Sequence, residues 1–325
     1  MTEVPGCGPR LSVVIPNYNH GHLIAESLAA ISRQTVAPFE VVVVDDGSTD
    51  DSLARLQSLA ADMPWLRIHR HSENRGVNAA CNTGLGLVSG DFILFTAADD
   101  CLSPGMVERV AAAAAGVPAT GIVFSDPAEM NADGSDARIM PLDLPRAVRY
   151  FSPDELIRLM RSHFFYFHVS SVWFNVATLR GLGGFPLEVK WHGDLLAAYA
   201  AGFERGAVYA PDAVSYIRVS AMSYGAAGKR SDAQLDVLRA WLRTLRQPGW
   251  ERQRAAFVAA AIWPDYSLGA VRALLSDPGY LTPRLAARLV RLIVWTNVAP
   301  LVGTTVRHWL RRVRSRYRGS QSSAR

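Results

Sequence analysis

Four valines run directly into two aspartates, a glycine and a polar cluster in the segment VVVVDDGSTDDS, from Val41 to Ser52. Such an apolar run is typical of a strand buried on both faces, and the polar residues after it can turn the chain and cap a helix. The carboxylates are therefore predicted at the carboxyl end of a central strand. In open α/β sheets ligands bind at that edge, because neighbouring loops diverge there and leave a crevice.

The same arrangement occurs once before and once after this segment. Leu11–Ile15 ends at the polar loop Pro16–Asn19, and Asp91–Phe95 ends at the loop Thr96–Asp100. The intervening segments have helical spacing of apolar residues. Those residues are Leu23, Leu28 and Ile31, then Leu53, Leu56 and Leu59, then Val77, Ala80, Cys81, Leu85 and Val88. This alternation predicts the α/β class, with a parallel sheet and right-handed crossovers.

These segments resemble the family 2 glycosyltransferases, which have the nucleotide-sugar-binding fold called GT-A. The resemblance is carried, in chain order, by LSVVIPNYNH, SLAAISRQTVAPFEVVVVDDGSTDDS and HSENRGVNAACNTGLGLVSGDFILFTAADD, and more weakly by GLGGFPLEVKWHGD and YAPDAVSYIRVS. Together they cover roughly residues 10 to 225. The resemblance implies a Rossmann-like, mostly parallel sheet flanked by helices, and a nucleotide-sugar donor, with UDP- or dTDP-sugars favoured.

A chain of 325 residues is too long for one average domain. We predict a GT-A domain over residues 1–228, a helical C-terminal extension over 229–318 and a disordered tail over 319–325. The boundary is set near Ala226–Ser231, where strand-like residues give way to helical spacing.

The cysteines and the N-terminus bear on the compartment. Three cysteines, an odd count without metal-ligand spacing, fit a reducing cytoplasm better than a disulfide framework. The first ten residues lack the apolar stretch of a signal peptide. We therefore expect a cytoplasmic enzyme, either free or bound peripherally to the inner face of the cytoplasmic membrane.

Basic residues are concentrated at the C-terminus. Leu281–Arg325 contains ten arginines and no acidic residue, which leaves 24 basic against 29 acidic residues elsewhere. This distribution argues against nucleic acid as a partner. The segment Leu289–Gly303 is apolar but shorter than the roughly 20 residues that span a bilayer. We expect it to lie on an anionic membrane surface, with Trp295 and Trp309 at the interface. The alternative is ordinary helices with a solvated basic end.

The loop after the third strand carries the candidate metal ligands. Negative charge develops on the diphosphate as it leaves, and Mg²⁺ or Mn²⁺ bound by carboxylates can neutralise it. By resemblance Asp99 matches the last aspartate of the family's Asp-x-Asp motif and is the principal ligand, while Asp100 binds metal through water or holds the loop. Ala97 replaces the motif's first carboxylate, which weakens the expected nucleotide grip. The alternative is that both acids cap a helix beginning near Ser103-Pro104.

The first two strand ends are expected to bind the nucleotide. By resemblance, Pro16, Tyr18 and Asn19 line the base pocket; for Tyr18, ordinary packing is the alternative.

The acidic pair is the second part of this prediction. Asp46 is expected to accept a hydrogen bond from the base or ribose, since an ionised carboxylate only accepts. Asp45 assists or holds the loop. Arg75 adds charge near the base or phosphates, with a solvated surface charge as its alternative.

The acceptor hydroxyl must lose a proton as it attacks the anomeric carbon, which requires a general base. The family places an aspartate after a glycine-aromatic turn, and GLGGFPLEVKWHGD puts Asp194 there. The alternative for Asp194 is a helix cap. Glu188 is the reserve base, and Trp191 or His192 is expected to form a wall of the acceptor pocket.

Later residues depart from the family pattern. Many relatives have a histidine near the diphosphate where this chain has Ser220, so Arg218 is the substitute contact, with strand-end solvation as its alternative. The segment HFFYFHVSSVWF is predicted to form a buried strand and the floor of the acceptor cleft. His163 and His168 within it are interpreted as core residues rather than ligands.

The sequence thus predicts an inverting, non-processive glycosyltransferase that moves one sugar to a carbohydrate or lipid-linked acceptor in cell-surface polysaccharide or glycolipid synthesis. A sugar-1-phosphate nucleotidyltransferase is less favoured, because PNYNHGH is neither glycine-rich nor basic. A processive synthase is disfavoured because no Gln-x-x-Arg-Trp motif is present. A nucleotide-sugar-binding partner that has lost catalysis remains open because of Ala97 and Ser220.

Overall fold

The protein is described here by a computed structural model that covers residues 8–163, 165–219, 224–264 and 267–298. The chain divides into two compact units, Met1–Ala260 and Ala261–Arg325. Helices up to Ala260 thus share a unit with the sheets, and the separate extension from residue 229 stays a prediction. Ser220, Trp309 and the tail 319–325 lie outside the described residues.

The elements of the described chain follow the order expected for an α/β domain. The strands are β1 (Leu11–Asn17), β2 (Glu40–Asp45), β3 (Leu66–Arg70), β4 (Phe92–Phe95), β5 (Cys101–Leu102), β6 (Ile122–Phe124), β7 (Pro127–Met130), β8 (Arg138–Ile139), β9 (Arg149–Phe151), β10 (Val172–Asn175), β11 (Ala207–Tyr209) and β12 (Ser215–Arg218). The helices are α1 (Gly21–Ser32), α2 (Ser52–Asp62), α3 (Val77–Leu87), α4 (Met106–Ala115), α5 (Pro153–Ser162), α6 (Val176–Gly181), α7 (Gly193–Arg205), α8 (Tyr224–Lys229), α9 (Gln234–Leu245), α10 (Glu251–Ala260), α11 (Leu268–Leu275) and α12 (Pro283–Val298).

Within the described residues, the strands form a sheet of eight and a sheet of four. The larger has the order β3-β2-β1-β4-β10-β6-β11-β9, and the smaller β5-β12-β7-β8. The first four strands of the larger sheet are mutually parallel, while β10 runs antiparallel between β4 and β6. The predicted α/β class, with a mostly parallel sheet flanked by helices, is confirmed.

The centre of the sheet is fully buried, as the valine run predicts. Val41 to Val44 are at most 1% exposed, and burying one such side chain contributes about 1.5–3 kcal/mol. Helix α3 lies close against β1 at Gly84, where a Cβ atom would come within 2.4 Å of a Val14 methyl. Because β1 and β2 pair with Asn17 opposite Asp45, their carboxyl ends lie side by side. The register therefore gathers the polar loops at one edge.

The aromatic segment before β10 differs from the prediction. Among its described residues, those in a strand all belong to β10, which is preceded by a short 3-10 turn, Val169–Ser171. Phe165 and Phe167 are buried against Phe124, with ring centroids 5.9 and 5.1 Å away. His163 is exposed, so its interpretation as a core residue is wrong. Part of the His168 surface is exposed, yet burial lowers its pKa to about 4, and its interpretation as a core residue stays a prediction. Buried and exposed side chains alternate in this segment as they do in a strand. Here the alternation results from the packing of Phe165 and Phe167 on Phe124 rather than from pairing with another strand.

The second unit has internal contacts of its own. The Tyr280 hydroxyl donates to the Ile262 carbonyl at 2.6 Å, and Arg288 donates to the Ala261 carbonyl at 2.9 Å. Leu285 and Leu289 of α12 are buried. Among the residues that the structure describes, none of the helices has the length and hydropathy needed to cross a bilayer.

Candidate active site

The buried Asp45 organises the turn after β2. Its Oδ1 accepts from Asn17 Nδ2 at 3.0 Å, and its Oδ2 accepts from the Ser48 backbone N–H at 3.3 Å. Arg70 lies 3.6 Å from the same carboxylate. These contacts favour the loop-holding alternative for Asp45, while its help in binding the nucleotide stays a prediction.

Asn19 joins the loops after β1 and β2. It adopts a left-handed φ of 56°, and its Oδ1 accepts from the backbone N–H groups of Thr49 at 2.8 Å and Asp50 at 3.2 Å. Tyr18 is 41% exposed and Pro16 is partly exposed. The side chains of Tyr18 and Pro16 are therefore accessible to a nucleotide base, and their contact with one stays a prediction.

Asp46 lies in a network that the sequence prediction lacked. Its carboxylate is paired with His71 Nδ1 at 2.6 Å and accepts from the backbone N–H groups of Arg75 at 3.0 Å and Gly76 at 2.8 Å. The other His71 nitrogen is 2.9 Å from Thr83 Oγ1. His71 directly follows β3, so its position as a polar residue after a strand at the ligand edge was the sequence signal that could have identified it.

The side chain of Arg75 itself is exposed. In the described part of the chain its guanidinium has no ion pair or hydrogen bond. It is therefore accessible to an anionic ligand, although no contact with one is present.

The carboxylate of Asp99 is available to bind a metal ion. It is partly exposed, and within the described chain its carboxylate accepts no hydrogen bond. The described residues contain no cluster of three acidic, histidine or cysteine side chains that would bind a metal alone. One free carboxylate nevertheless fits a cation such as Mg²⁺, which takes its other ligands from substrate phosphates and water.

Asp100 is buried and bound by the protein. It accepts from Ser170 Oγ at 2.5 Å and from the Arg218 backbone N–H at 3.1 Å. Burial, with the charge of Asp99 adding to it, raises its pKa to about 7. These contacts favour the loop-holding alternative, while metal binding by Asp100 stays a prediction. Capping by either acid is wrong, because α4 begins at Met106 with Gly105 as its N-cap.

Arg218 is buried and bound within the protein. Its side chain is 6% exposed, and its guanidinium donates to the carbonyls of Asp99 at 3.0 Å and Ala132 at 2.8 Å and to Glu26 at 2.8 Å. Pairing of β12 with β5 brings it beside this loop. With three of its five N–H donors bound to protein partners, Arg218 supports the Asp99 loop, and its contact with a diphosphate stays a prediction.

Asp194 lies in the first turn of α7. It is partly exposed, and its Oδ1 accepts from the Leu195 N–H at 2.6 Å. Burial of the carboxylate by the surrounding protein raises its pKa to about 6, and the charge of nearby Lys229 partly opposes this rise. The N-cap position belongs to His192, without a side-chain cap hydrogen bond. The reserve candidate Glu188 is fully on the surface.

Helix α3 connects the Asp46 network to the segment before Asp194. At its N-terminus the Gly76 N–H binds Asp46, and in its first turn Asn78 Nδ2 donates to the Lys190 carbonyl at 2.8 Å. Burial, with the charges of Asp194 and Asp46 adding to it, raises the pKa of the Cys81 thiol. The two carboxylates therefore lie within electrostatic range of one buried side chain of this helix.

The two residues proposed for the wall of the acceptor pocket differ in their exposure. His192 is 1% exposed, lies 3.1 Å from Gln234 Nε2 and packs edge-on against Trp241. It cannot line an open pocket, so that part of the expectation is wrong. Trp191 remains partly exposed.

Comparison with known proteins identifies the family. The model of glycosyl transferase family 2 matches residues 12–174, half of the chain, and the chain belongs to that family. A PGL/p-HBAD biosynthesis glycosyltransferase of Mycobacterium bovis (strain BCG / Pasteur 1173P2) is 37% identical over 120 residues, which is 36% of this chain and 46% of the relative. The chain spans less than half of the length of the curated relatives that it matches.

Solved structures confirm the fold. Residues 1–349 of TarS from S. aureus, in complex with UDP-GlcNAc, match with a TM-score of 0.64 at 18% identity, over 86% of this chain and 83% of that one. The mannosyltransferase PcManGT from Pyrobaculum calidifontis, in complex with GDP-Man and Mn²⁺, matches with a TM-score of 0.56 at 24% identity, over 95% and 85%. The predicted family and GT-A fold are thus confirmed.

Proposed function

We propose that the protein is an inverting, non-processive glycosyltransferase that moves one sugar from a nucleoside-diphosphate donor to a carbohydrate or lipid-linked acceptor. The observation that carries the proposal is Asp194, a partly exposed carboxylate whose pKa is raised to about 6. At pH 7 about nine-tenths of such a group is ionised. The ionised Asp194 carboxylate can therefore accept a proton from the acceptor hydroxyl, and its raised pKa makes it a stronger base than an ordinary aspartate.

The donor side is proposed at the loops after β1, β2 and β3. Tyr18 and Arg75 are exposed there, and Asp46 is fixed beside them by His71 and two backbone N–H groups. The UDP-GlcNAc bound by TarS and the GDP-Man bound by PcManGT support a nucleotide-sugar donor for this chain too. We favour a UDP- or dTDP-sugar.

Asp99 is the proposed holder of a divalent cation, Mg²⁺ or Mn²⁺, and the Mn²⁺ of PcManGT supports this. When bound, such a cation neutralises charge that develops on the leaving diphosphate. Arg218 and Asp100 keep the loop in place through the Asp99 carbonyl and the Ser170 hydroxyl.

The proposed reaction is a single displacement. Asp194 accepts the proton of an acceptor hydroxyl as that oxygen bonds to the anomeric carbon, and the bond to the diphosphate oxygen breaks on the opposite face. One base without a protein nucleophile therefore gives inverted configuration. We also propose that the protein acts in the cytoplasm at the membrane surface, because its C-terminal segment has ten arginines.

A nucleotide-sugar-binding partner without catalysis is the second candidate. It is favoured by Ala97, which stands where the motif's first carboxylate is expected. A nucleotidyltransferase is not proposed, because the chain belongs to glycosyl transferase family 2.

Thermal denaturation with UDP-, dTDP- and GDP-sugars, each with and without Mn²⁺, tests the donor proposal. A ligand at 100 times its Kd adds about 2.7 kcal/mol to stability, so one donor should raise the melting temperature, and Mn²⁺ should enhance that rise. Asp99→Asn is the matched control and should lose the Mn²⁺ enhancement. Equal melting with every nucleotide sugar would contradict the proposal.

A further inference from the structure

Trp191 and Tyr224 form an accessible aromatic pair beside the proposed base. Their ring centroids are 5.9 Å apart with planes at 74°, and Tyr224 is 52% exposed. Trp191 is also partly exposed and precedes Asp194 by three residues. Burial, and then the nearby charge of Asp194, raises the pKa of the Tyr224 hydroxyl. The pair and the base therefore share one region of the surface.

The indole is held in place from two sides. Its N–H donates to Gln234 Oε1 at 2.6 Å. At Gly228 a Cβ atom would lie 2.3 Å from the indole ring, so α8 packs directly on Trp191 and only glycine fits. The ring is thus positioned by α8 and α9, and the Lys190 ammonium lies 5.9 Å from its centroid.

The backbone before the indole is also constrained. Lys190 has a φ of 45° and a ψ of −120°, a rare conformation for a residue with a side chain. Its carbonyl is held by Asn78 Nδ2 at 2.8 Å. Strained backbone persists where surrounding contacts determine it, and it clusters at ligand sites.

A purely structural role for the pair explains less. A packing anchor gains most when both rings are buried, whereas half of the Tyr224 side chain is exposed. Exposed aromatic rings with an anchored polar atom are suited to ligands that have one apolar face.

We propose that Trp191 and Tyr224 form the acceptor subsite and bind the C–H face of a pyranose ring. This inference rests on the proposed function and deepens it: the acceptor is a sugar unit, free or attached to a carrier, rather than a simple alcohol. A ring on this pair would present a hydroxyl to Asp194. Both residues select the acceptor, and neither contributes to donor binding.

Saturation-transfer NMR tests the subsite without requiring turnover. The probes are octyl β-D-glucoside, octyl β-D-galactoside and octyl β-D-mannoside, with tetraethylene glycol monooctyl ether as the ligand that has the same tail and no sugar ring. We expect transfer to the ring protons of at least one glycoside and none to the ether head group. Signals limited to the octyl chains, or equal signals from the ether, would overturn the proposal.

The variants Tyr224→Ala and Gly228→Ala probe the site in different ways. The first removes a ring, and the second displaces the indole without altering it. Both should weaken glycoside binding by tenfold or more, with unchanged donor affinity. Trp191→Phe, which keeps a ring, should lose less. Phe39→Ala is the control for an exposed aromatic elsewhere, since Phe39 is 50% exposed before β2, and it should change nothing.

The outcomes separate this proposal from the proposed function. Glycoside binding that persists unchanged in Tyr224→Ala and Gly228→Ala proteins with wild-type melting temperatures would refute the subsite, whatever the activity. Ring binding that is lost in these variants would support it, even if the wild type transferred no sugar. A wild type that neither binds nor hydrolyses any nucleotide sugar would instead refute the proposed function.

Discussion

Replacing Lys229 should move the acidic limb of the pH–rate profile. The pKa of Asp194 is about 6, raised by burial and lowered by the nearby Lys229 ammonium. If ionised Asp194 is the base, kcat/KM falls tenfold per pH unit well below 6, and about one-tenth of the carboxylates remain ionised at pH 5. Lys229→Met removes the cation, so the pKa of Asp194 rises and the limb moves to higher pH. Lys229→Arg keeps the charge and should leave the limb in place.

The assay is kcat/KM across about pH 5 to 8, the profile that reports free-enzyme groups. Tyr224 and Cys81 stay neutral in this range, because the pKa values of both are raised. Asp100, with a pKa of about 7, can add a limb, but Lys229 is not among the causes of its shift. An acidic limb that does not move in Lys229→Met, with donor affinity constant across the range, would refute Asp194 as the titrating base.

Three further predictions concern the metal, the Asp99 loop and the C-terminus. Asp99→Asn should abolish Mn²⁺- or Mg²⁺-supported transfer while the melting temperature of the free protein is retained; near-normal transfer over a range of metal concentrations would contradict this. Arg218→Met should raise the Mn²⁺ concentration for half-maximal activity by tenfold or more, and Glu26→Gln by less; an unchanged metal requirement with reduced kcat would indicate another role. Replacing the six arginines of residues 307–318 with glutamine should abolish salt-sensitive sedimentation with anionic vesicles. The reason is that each basic residue near such a surface contributes about 1 kcal/mol to binding. Unchanged sedimentation would exclude the membrane role.

The arginine replacement is preferred to a truncation after Tyr280. Such a cut would remove the buried Leu285 and Leu289 and the hydrogen bond from Arg288 to the Ala261 carbonyl. Loss of packing would then be confused with loss of charge.

The central strands and their loops were predictable because local patterns determine them. The valines of β2 are continuous and buried, and polar residues follow each strand at once, so the ligand edge could be inferred from the sequence. Asp46 and Asp99 were found in this way, and the resemblance to a family added Asp194.

The partners of these residues were not predictable, because they are distant in sequence. Arg218 binds Glu26, 192 positions away, and the Asp99 carbonyl, 119 positions away. The loop-supporting role of Arg218 depends on the pairing of β12 with β5, which no local pattern encodes. Likewise, Phe165 and Phe167 alternate with exposed neighbours as in a strand, and only the tertiary packing on Phe124 distinguishes the two.

The most direct test of Asp194 as the general base is the transfer rate from saturating donor in Asp194→Asn, measured beside Glu188→Gln. The amide preserves shape but cannot accept the proton, so the rate should fall on the order of 10²- to 10⁴-fold, with donor affinity unchanged and Glu188→Gln near normal. A wild-type rate in Asp194→Asn, or a comparable loss only in Glu188→Gln, would contradict the account.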